Sequence, residues 1–233
     1  MTHENDPVDK RVKIHMEWGH KFGCITGARD GQRYYLGWRH CPEKKISQWY
    51  EEHYHKDKVY CTTYPDVGDQ PERDKACLQD AGITLGDDIL VTGCGGGNNL
   101  VLLKEEFGIT KVTACDFSSL SVIHCQNWFG PEATVIQCSV DDLPFENESF
   151  DVVLALDLTE HLPFDTYLFF LLEAARVLRP GGRFVVLPGM TLLREHINLL
   201  PLAVIDGHLK KIGFETKMDK EWIIATKKEE TNG

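Results

Sequence analysis

Three observations predict a doubly wound α/β domain. Apolar strands alternate with helices from Gly86 onward, the fourth strand is continuously apolar, and a glycine-rich loop joins the first strand to the first helix of the series. Strands separated by helices must run parallel, and a parallel sheet is covered on both faces.

The elements follow in order. Asp88–Thr92 reads as a buried strand, followed by the glycine loop and a helix over Asn98–Glu106. Lys111–Cys115 is the second strand, Ser119–Trp128 a helix, Thr134–Cys138 the third strand and Asp151–Leu156 the fourth. A helix is expected from about Phe164 to Leu178, then a tight turn at Arg179-Pro180-Gly181-Gly182 before the strand Arg183–Leu187. Leu193, His196, Ile197, Leu200 and Val204 fall at helical spacing and predict a long helix, Leu192–Lys211, kinked or broken at Pro201. Its apolar stripe reads as core. Two strands, Glu215–Asp219 and Trp222–Thr226, close the series.

The composition changes near residue 75. Residues 1–75 hold three of five Trp, six of seven Tyr and six of ten His, with 13 acidic side chains against 13 Lys and Arg. Beyond residue 75 the count is 23 against 12, so the net charge of −11 belongs to the C-terminal two-thirds. We therefore divide the chain into an aromatic-rich N-terminal extension (1–75), a main domain (76–228) and a short tail (229–233). Tyr64–Pro71 reads as a turn-rich connector, and short amphipathic helices are expected around Lys45–His55. No basic stripe is present, which argues against nucleic acid as the main partner.

Uncharged stretches such as Phe184–Leu193 and Ile197–Ile205 each contain a proline and fall far short of a membrane span. The N-terminus is polar, without the apolar core of a secretory signal. A soluble, cytoplasmic protein is expected. The eight cysteines are scattered with no C-x-x-C pair, so they read as reduced thiols. Cys41, His53, His55 and Cys61 fit no standard zinc spacing, and no metal site is expected.

The chemistry concentrates in Gly93-Cys94-Gly95-Gly96-Gly97-Asn98. A phosphate loop needs Lys-Ser/Thr after the last glycine, and the dinucleotide fingerprint needs glycine at 98; both fail. The remaining spacing, G-x-G-x-G at Gly93, Gly95 and Gly97, suits close approach of a ligand to a helix N-terminus, or an ordinary tight turn. Asp116 ends the second strand, where a carboxylate can take two ribose hydroxyls or cap the next helix. Further along stand Leu143-Pro144-Phe145, Ser149-Phe150-Asp151-Val152-Val153 and Arg179-Pro180-Gly181-Gly182.

As a set these motifs resemble class I S-adenosylmethionine-dependent methyltransferases over about residues 75–228. The resemblance implies a seven-stranded sheet with its last strand antiparallel, an N-terminal lid and S-adenosylmethionine as cofactor. It implies that Gly93, Gly95 and Gly97 pass beneath the methionine part, that Asp116 holds the ribose, that Phe117 lies against the adenine, and that Val140 and Asp141 sit at its edge. Two positions depart from the family: Val91 replaces an acidic residue, and Ser139 stands where an Asp is usual.

Methyl transfer proceeds by in-line displacement and needs positioning more than a catalytic triad. A general base is required only for an acceptor that arrives protonated, and His161 is the candidate, the alternative being a histidine that packs on or caps the following helix. Ala155-Leu156-Asp157-Leu158 matches neither the Asn/Asp-Pro-Pro-Tyr of adenine and glutamine methylation nor the Pro-Cys of cytosine methylation, and the cysteines suggest no arsenic chemistry. Trp49, Tyr50 and Tyr54 are candidates for the substrate side, since aromatic faces hold cationic amines, or else they anchor a lid. The expected function is methylation of a nitrogen or oxygen on a small-molecule acceptor. The alternatives are a protein-lysine methyltransferase and a cofactor-binding subunit without turnover. The sequence leaves the oligomeric state open.

Overall fold

The computed structural model describes residues 70–190 and 198–229. Expectations for Lys45–His55, for Trp49, Tyr50 and Tyr54, and for the Cys41/His53/His55/Cys61 group lie outside the described residues.

The chain enters through helix α1 (Pro71–Asp80), which crosses the composition change at residue 75 and was not expected from the sequence. Pro71 at its first turn has no N–H to lose there, and Glu72 and Asp74 complement the positive end of the helix dipole. Strand β1 (Ile89–Thr92), helix α2 (Asn98–Phe107), β2 (Val112–Asp116), α3 (Ser119–Phe129) and β3 (Ala133–Gln137) follow. Then come β4 (Phe150–Leu156), α4 (Phe164–Val177), β5 (Leu178–Leu187), α5 (Leu202–Lys211), β6 (Phe214–Met218) and β7 (Ile223–Lys227). The seven strands form one sheet in the order β3-β2-β1-β4-β5-β7-β6. β7 runs antiparallel to both β5 and β6, while the pairs from β3 through β5 are parallel. This is the seven-stranded sheet that the sequence led us to expect.

The period-two alternation of strand side chains divides the core in two. Ile89, Val91, Val152, Leu154 and Leu156 face α1, α2 and α3, whereas Leu90, Val153 and Ala155 face α4 and α5. Both faces are therefore buried, which explains why β4 reads as an unbroken apolar run. Helix α4 turns Tyr167, Phe170, Leu171, Ala174 and Val177 inward at helical spacing, and full burial of a side chain the size of Leu171 or Phe170 contributes about 1.5–3 kcal/mol. Tyr167 Oη meets His208 Nδ1 at 3.1 Å inside this half of the core. Burial pulls the His208 imidazole down to about 4, so it stays neutral there.

Of the two forms expected at Pro201, a kink or a break, the structure has the break: α5 begins at Leu202 with Pro201 as its N-cap and residues 198–200 irregular, and residues 191–197 are outside the described set. One expectation changed. Arg179–Gly182 lies within β5, not ahead of it. Phe150 pairs with Leu178 and Val152 with Arg183, so the four residues bulge out while the strand keeps its partner on either side. Arg179 ties the bulge to Asp88 at 2.9 Å and Asp151 at 2.8 Å.

Candidate functional site

The glycine loop, the end of β2 and the turn after β4 all leave the carboxyl ends of neighbouring strands, where open α/β sheets bind ligands. A cleft of about 460 Å³ lined by Asp88, Lys111, Glu132 and Phe150 lies at the opposite, amino-terminal ends of the strands, away from these loops.

β1 runs straight into Gly93 and α2 starts at Asn98, so five residues must reverse direction. Gly97, the N-cap of α2, has φ 94°. A Cβ there would stand 2.8 Å from Phe129 Cε2 and 3.3 Å from Cys125 Sγ, so this glycine is needed to pack the loop on α3. Gly95 differs. Its φ is 49°, and a Cβ would meet no described residue within 4 Å. The space beside Gly95 is open among the described residues. At Gly93 a Cβ would collide with Leu158 Cδ1 at 2.7 Å, which places the turn after β4 directly beside the loop.

Asp116 joins the loop to β2. Its Oδ2 accepts the Gly95 N–H and its Oδ1 the Ser118 N–H, each at 2.9 Å, and the residue is buried. The cap of α3 is Ser118, whose hydroxyl accepts from Ser121 N, so capping is not the work of Asp116. A carboxylate has about four acceptor positions, so amide bonds and a pair of hydroxyls fit the same group. Phe117 follows half-buried, with its carbonyl accepting from Gln137 Nε2 at 3.0 Å. Beyond β3, Val140 is buried against the α4 side of the core, and Asp141 accepts a hydrogen bond from Ser139 Oγ. The hydroxyl at position 139 thus orients the nearby acid.

Four cysteines surround these loops. A hydrogen bond with Cys125, with burial, raises the Cys94 thiol; the Cys115–Cys138 contact holds Cys138 below the usual thiol range and, with burial, raises Cys115. Among the described residues no group of His, Cys, Asp and Glu is arranged to hold a metal ion, and no helix is long and apolar enough to cross a membrane.

The turn after β4 holds what the sequence reading missed. Asp157 takes φ 48° and meets Arg73 of α1 at 2.6 Å across 84 residues. Thr159–His161 forms a single 3-10 turn. Helix α4 starts without a side-chain cap, so His161 does not cap it; His161 Nε2 lies 3.8 Å from Glu160 Oε1. Glu160 is 1% exposed, and its Oε1 accepts the Gly189 N–H at 2.8 Å. Its Oε2 and the neighbouring Thr159 Oγ1 are buried with no hydrogen-bond partner. A carboxyl beside a histidine is visible in any sequence; its complete burial depends on β5 and its following loop and has no local signal.

The Leu143–Phe145 segment owes its place to α4. Arg176 donates to the carbonyls of Leu143 at 2.8 Å and Phe145 at 2.6 Å, and Glu173 accepts the Leu143 N–H at 2.8 Å.

Residues 90–186 match a protein family described as "Methyltransferase domain". The chain is 38% identical over 100 residues to a probable phthiotriol/phenolphthiotriol dimycocerosates methyltransferase 2 of Mycobacterium ulcerans, covering 42% of this chain and 38% of that protein. It is also 38% identical over 104 residues to a fatty-acid O-methyltransferase of Mycolicibacterium smegmatis, covering 43% of this chain and 36% of that protein. The chain thus spans less than half the length of these relatives. Among solved structures, the complex of a putative methyltransferase with the Trm112 methyltransferase activator of Haloferax volcanii aligns with a TM-score of 0.61 and 16% identity, over 79% of this chain and 98% of that one. The 1,6-didemethyltoxoflavin-N1-methyltransferase of Burkholderia thailandensis, with bound S-adenosylhomocysteine, gives 0.55 and 18%, over 79% and 88%. At such identities the structures establish the fold alone. Residues 90–186 are thus similar to a methyltransferase domain, and they lie on the seven-stranded sheet that the chain shares with these structures.

Proposed function

We propose that this protein binds S-adenosylmethionine across the glycine loop and transfers its methyl group to an oxygen or nitrogen of a small-molecule acceptor. The observation that carries the reading is the pairing of Gly95 with Asp116: a carboxylate fixed by the loop's own amide, beside a backbone position with open space next to it.

When bound, the cofactor supplies a methyl group on a positively charged sulfur. The chain's own residues do the rest. Gly93, Gly95 and Gly97 let the backbone approach the methionine portion, Asp116 accepts the ribose hydroxyls, and Phe117 covers the adenine with Val140 and Asp141 at its edge. The Asp157–His161 turn faces the acceptor, and His161 takes the proton when the acceptor is a hydroxyl or an ammonium. Exclusion of water and alignment of the acceptor in line with the breaking bond supply most of the rate. The relative named as a fatty-acid O-methyltransferase favours an oxygen on an apolar molecule as the first acceptor to try. The test is transfer of tritium from methyl-labelled S-adenosylmethionine to a panel of fatty acids, phenols and small amines. Label in one acceptor class, with matching S-adenosylhomocysteine release, supports the reading; a folded, cofactor-binding protein that labels none of them contradicts it.

A further inference from the structure

Three carboxyls are buried among the described residues: Asp74, Asp116 and Glu160. Asp74 meets Arg73 at 2.8 Å, and the Asp116 oxygens accept from Gly95 and Ser118. Glu160 alone of the three keeps an oxygen, Oε2, buried without a hydrogen bond, and the next such oxygen is Thr159 Oγ1 in the same turn. That turn touches the glycine loop through Leu158 and Gly93. The facing end of β1 offers no charge, since Val91 is fully buried in the core and Thr92 Oγ1 donates to the Leu154 carbonyl. A buried acid with an unused acceptor is costly to keep unless a ligand completes it.

We propose that Glu160 is the anchor for the α-ammonium of the methionine part of the cofactor, and that cofactor binding therefore expels a proton from Glu160. The inference rests on the cofactor reading above. An ammonium group presents three donors and a positive charge, matching an unused carboxyl oxygen with a second acceptor beside it.

The charged surroundings make the coupling readable. Burial pushes the Glu160 carboxyl up to about 8; Asp157 adds to the rise, while its own N–H, the Gly189 N–H and the Arg73 guanidinium of α1 oppose it. His161 Nε2, 3.8 Å from Oε1, is the other titratable neighbour. A carboxyl raised this far is held mainly in its protonated form at pH 7 in the free protein. An ammonium against Oε2 favours the carboxylate, so binding releases the proton.

The experiment is calorimetric titration of the full chain with S-adenosylhomocysteine and with S-adenosylmethionine at pH 7, in phosphate and in Tris, whose ionisation enthalpies differ widely. Wild type is expected to release close to one proton with either ligand, because both carry the ammonium. Glu160→Gln is expected to release none and to bind on the order of tenfold more weakly. Binding without proton release, equal release from Glu160→Gln, or release with S-adenosylmethionine alone would each overturn the assignment; the last would point to the sulfonium. No binding of either ligand to folded wild type would instead remove the cofactor reading, and this inference with it. Should Glu160→Gln not fold, infrared difference spectra of wild type decide the matter. A protonated-carboxyl band must disappear when S-adenosylhomocysteine is added, and its persistence overturns the proposal.

Discussion

Replacing Gly95 and Gly97 by alanine, one at a time, separates a glycine kept for the ligand from one kept for packing. Both have positive φ, 49° and 94°, so an alanine at either costs about 1–2 kcal/mol of backbone strain. At Gly95 no described residue lies within 4 Å of the added methyl, so among the described residues strain is the stability effect. For a chain of this size that lowers Tm by about 2–8 °C. At Gly97 the methyl also meets Phe129 at 2.8 Å and Cys125 at 3.3 Å, adding an overpacking loss of about 1–3 kcal/mol. The order reverses in binding. The Gly95→Ala methyl projects into the space assigned to the cofactor and should weaken S-adenosylhomocysteine by about tenfold or more, equivalent to about 1.4 kcal/mol. Thermal melts and calorimetric titrations of the two variants check both halves. Gly95→Ala that binds as tightly as wild type would refute the placement of the cofactor over this loop. Gly95→Ala that is less stable than Gly97→Ala would refute the packing argument.

Asp116→Ala should weaken S-adenosylhomocysteine by about tenfold or more, since each charge-assisted hydrogen bond to a hydroxyl contributes about 1.5–3 kcal/mol; unchanged calorimetric affinity would remove Asp116 from the site. His161→Ala should slow methyl transfer and leave cofactor affinity alone, and turnover equal to wild type across about pH 6–9 would exclude His161 as the base. Glu160 predicts a pH-dependent stability. Its folded value is raised from 4.5 to about 8, so its contribution is complete below pH 4.5 and is lost as pH rises through about 8. Denaturant melts at pH 5 and pH 8 should show a larger fall for wild type than for Glu160→Gln, and equal falls would contradict the burial argument.

The sheet was legible because its signals are local. Apolar runs ending at glycines and prolines place β1 through β5 to within one residue, apart from the start of β5. The glycine spacing and Asp116 mark the loops between them. What escaped is what depends on distant partners. Pro201 can kink a helix or begin one, and only its place beyond the irregular residues 198–200 shows that it begins α5. Arg179–Gly182 has the residues of a turn, yet pairing with β4 on both sides keeps it in the sheet. Nothing in the residues around Glu160 signals its burial, which depends on β5 and on Gly189, 29 residues on, donating to it. Arg73 and Asp157 are joined across 84 residues by no pattern in the chain.

The central claim is that S-adenosylmethionine lies over the glycine loop with its ribose at Asp116. A crystal structure of the protein with S-adenosylhomocysteine tests it most directly. The ribose hydroxyls are expected against the Asp116 carboxylate, with the methionine chain over Gly93–Gly97. Ligand bound away from these loops, or no ligand in crystals grown with millimolar ligand, would contradict the account.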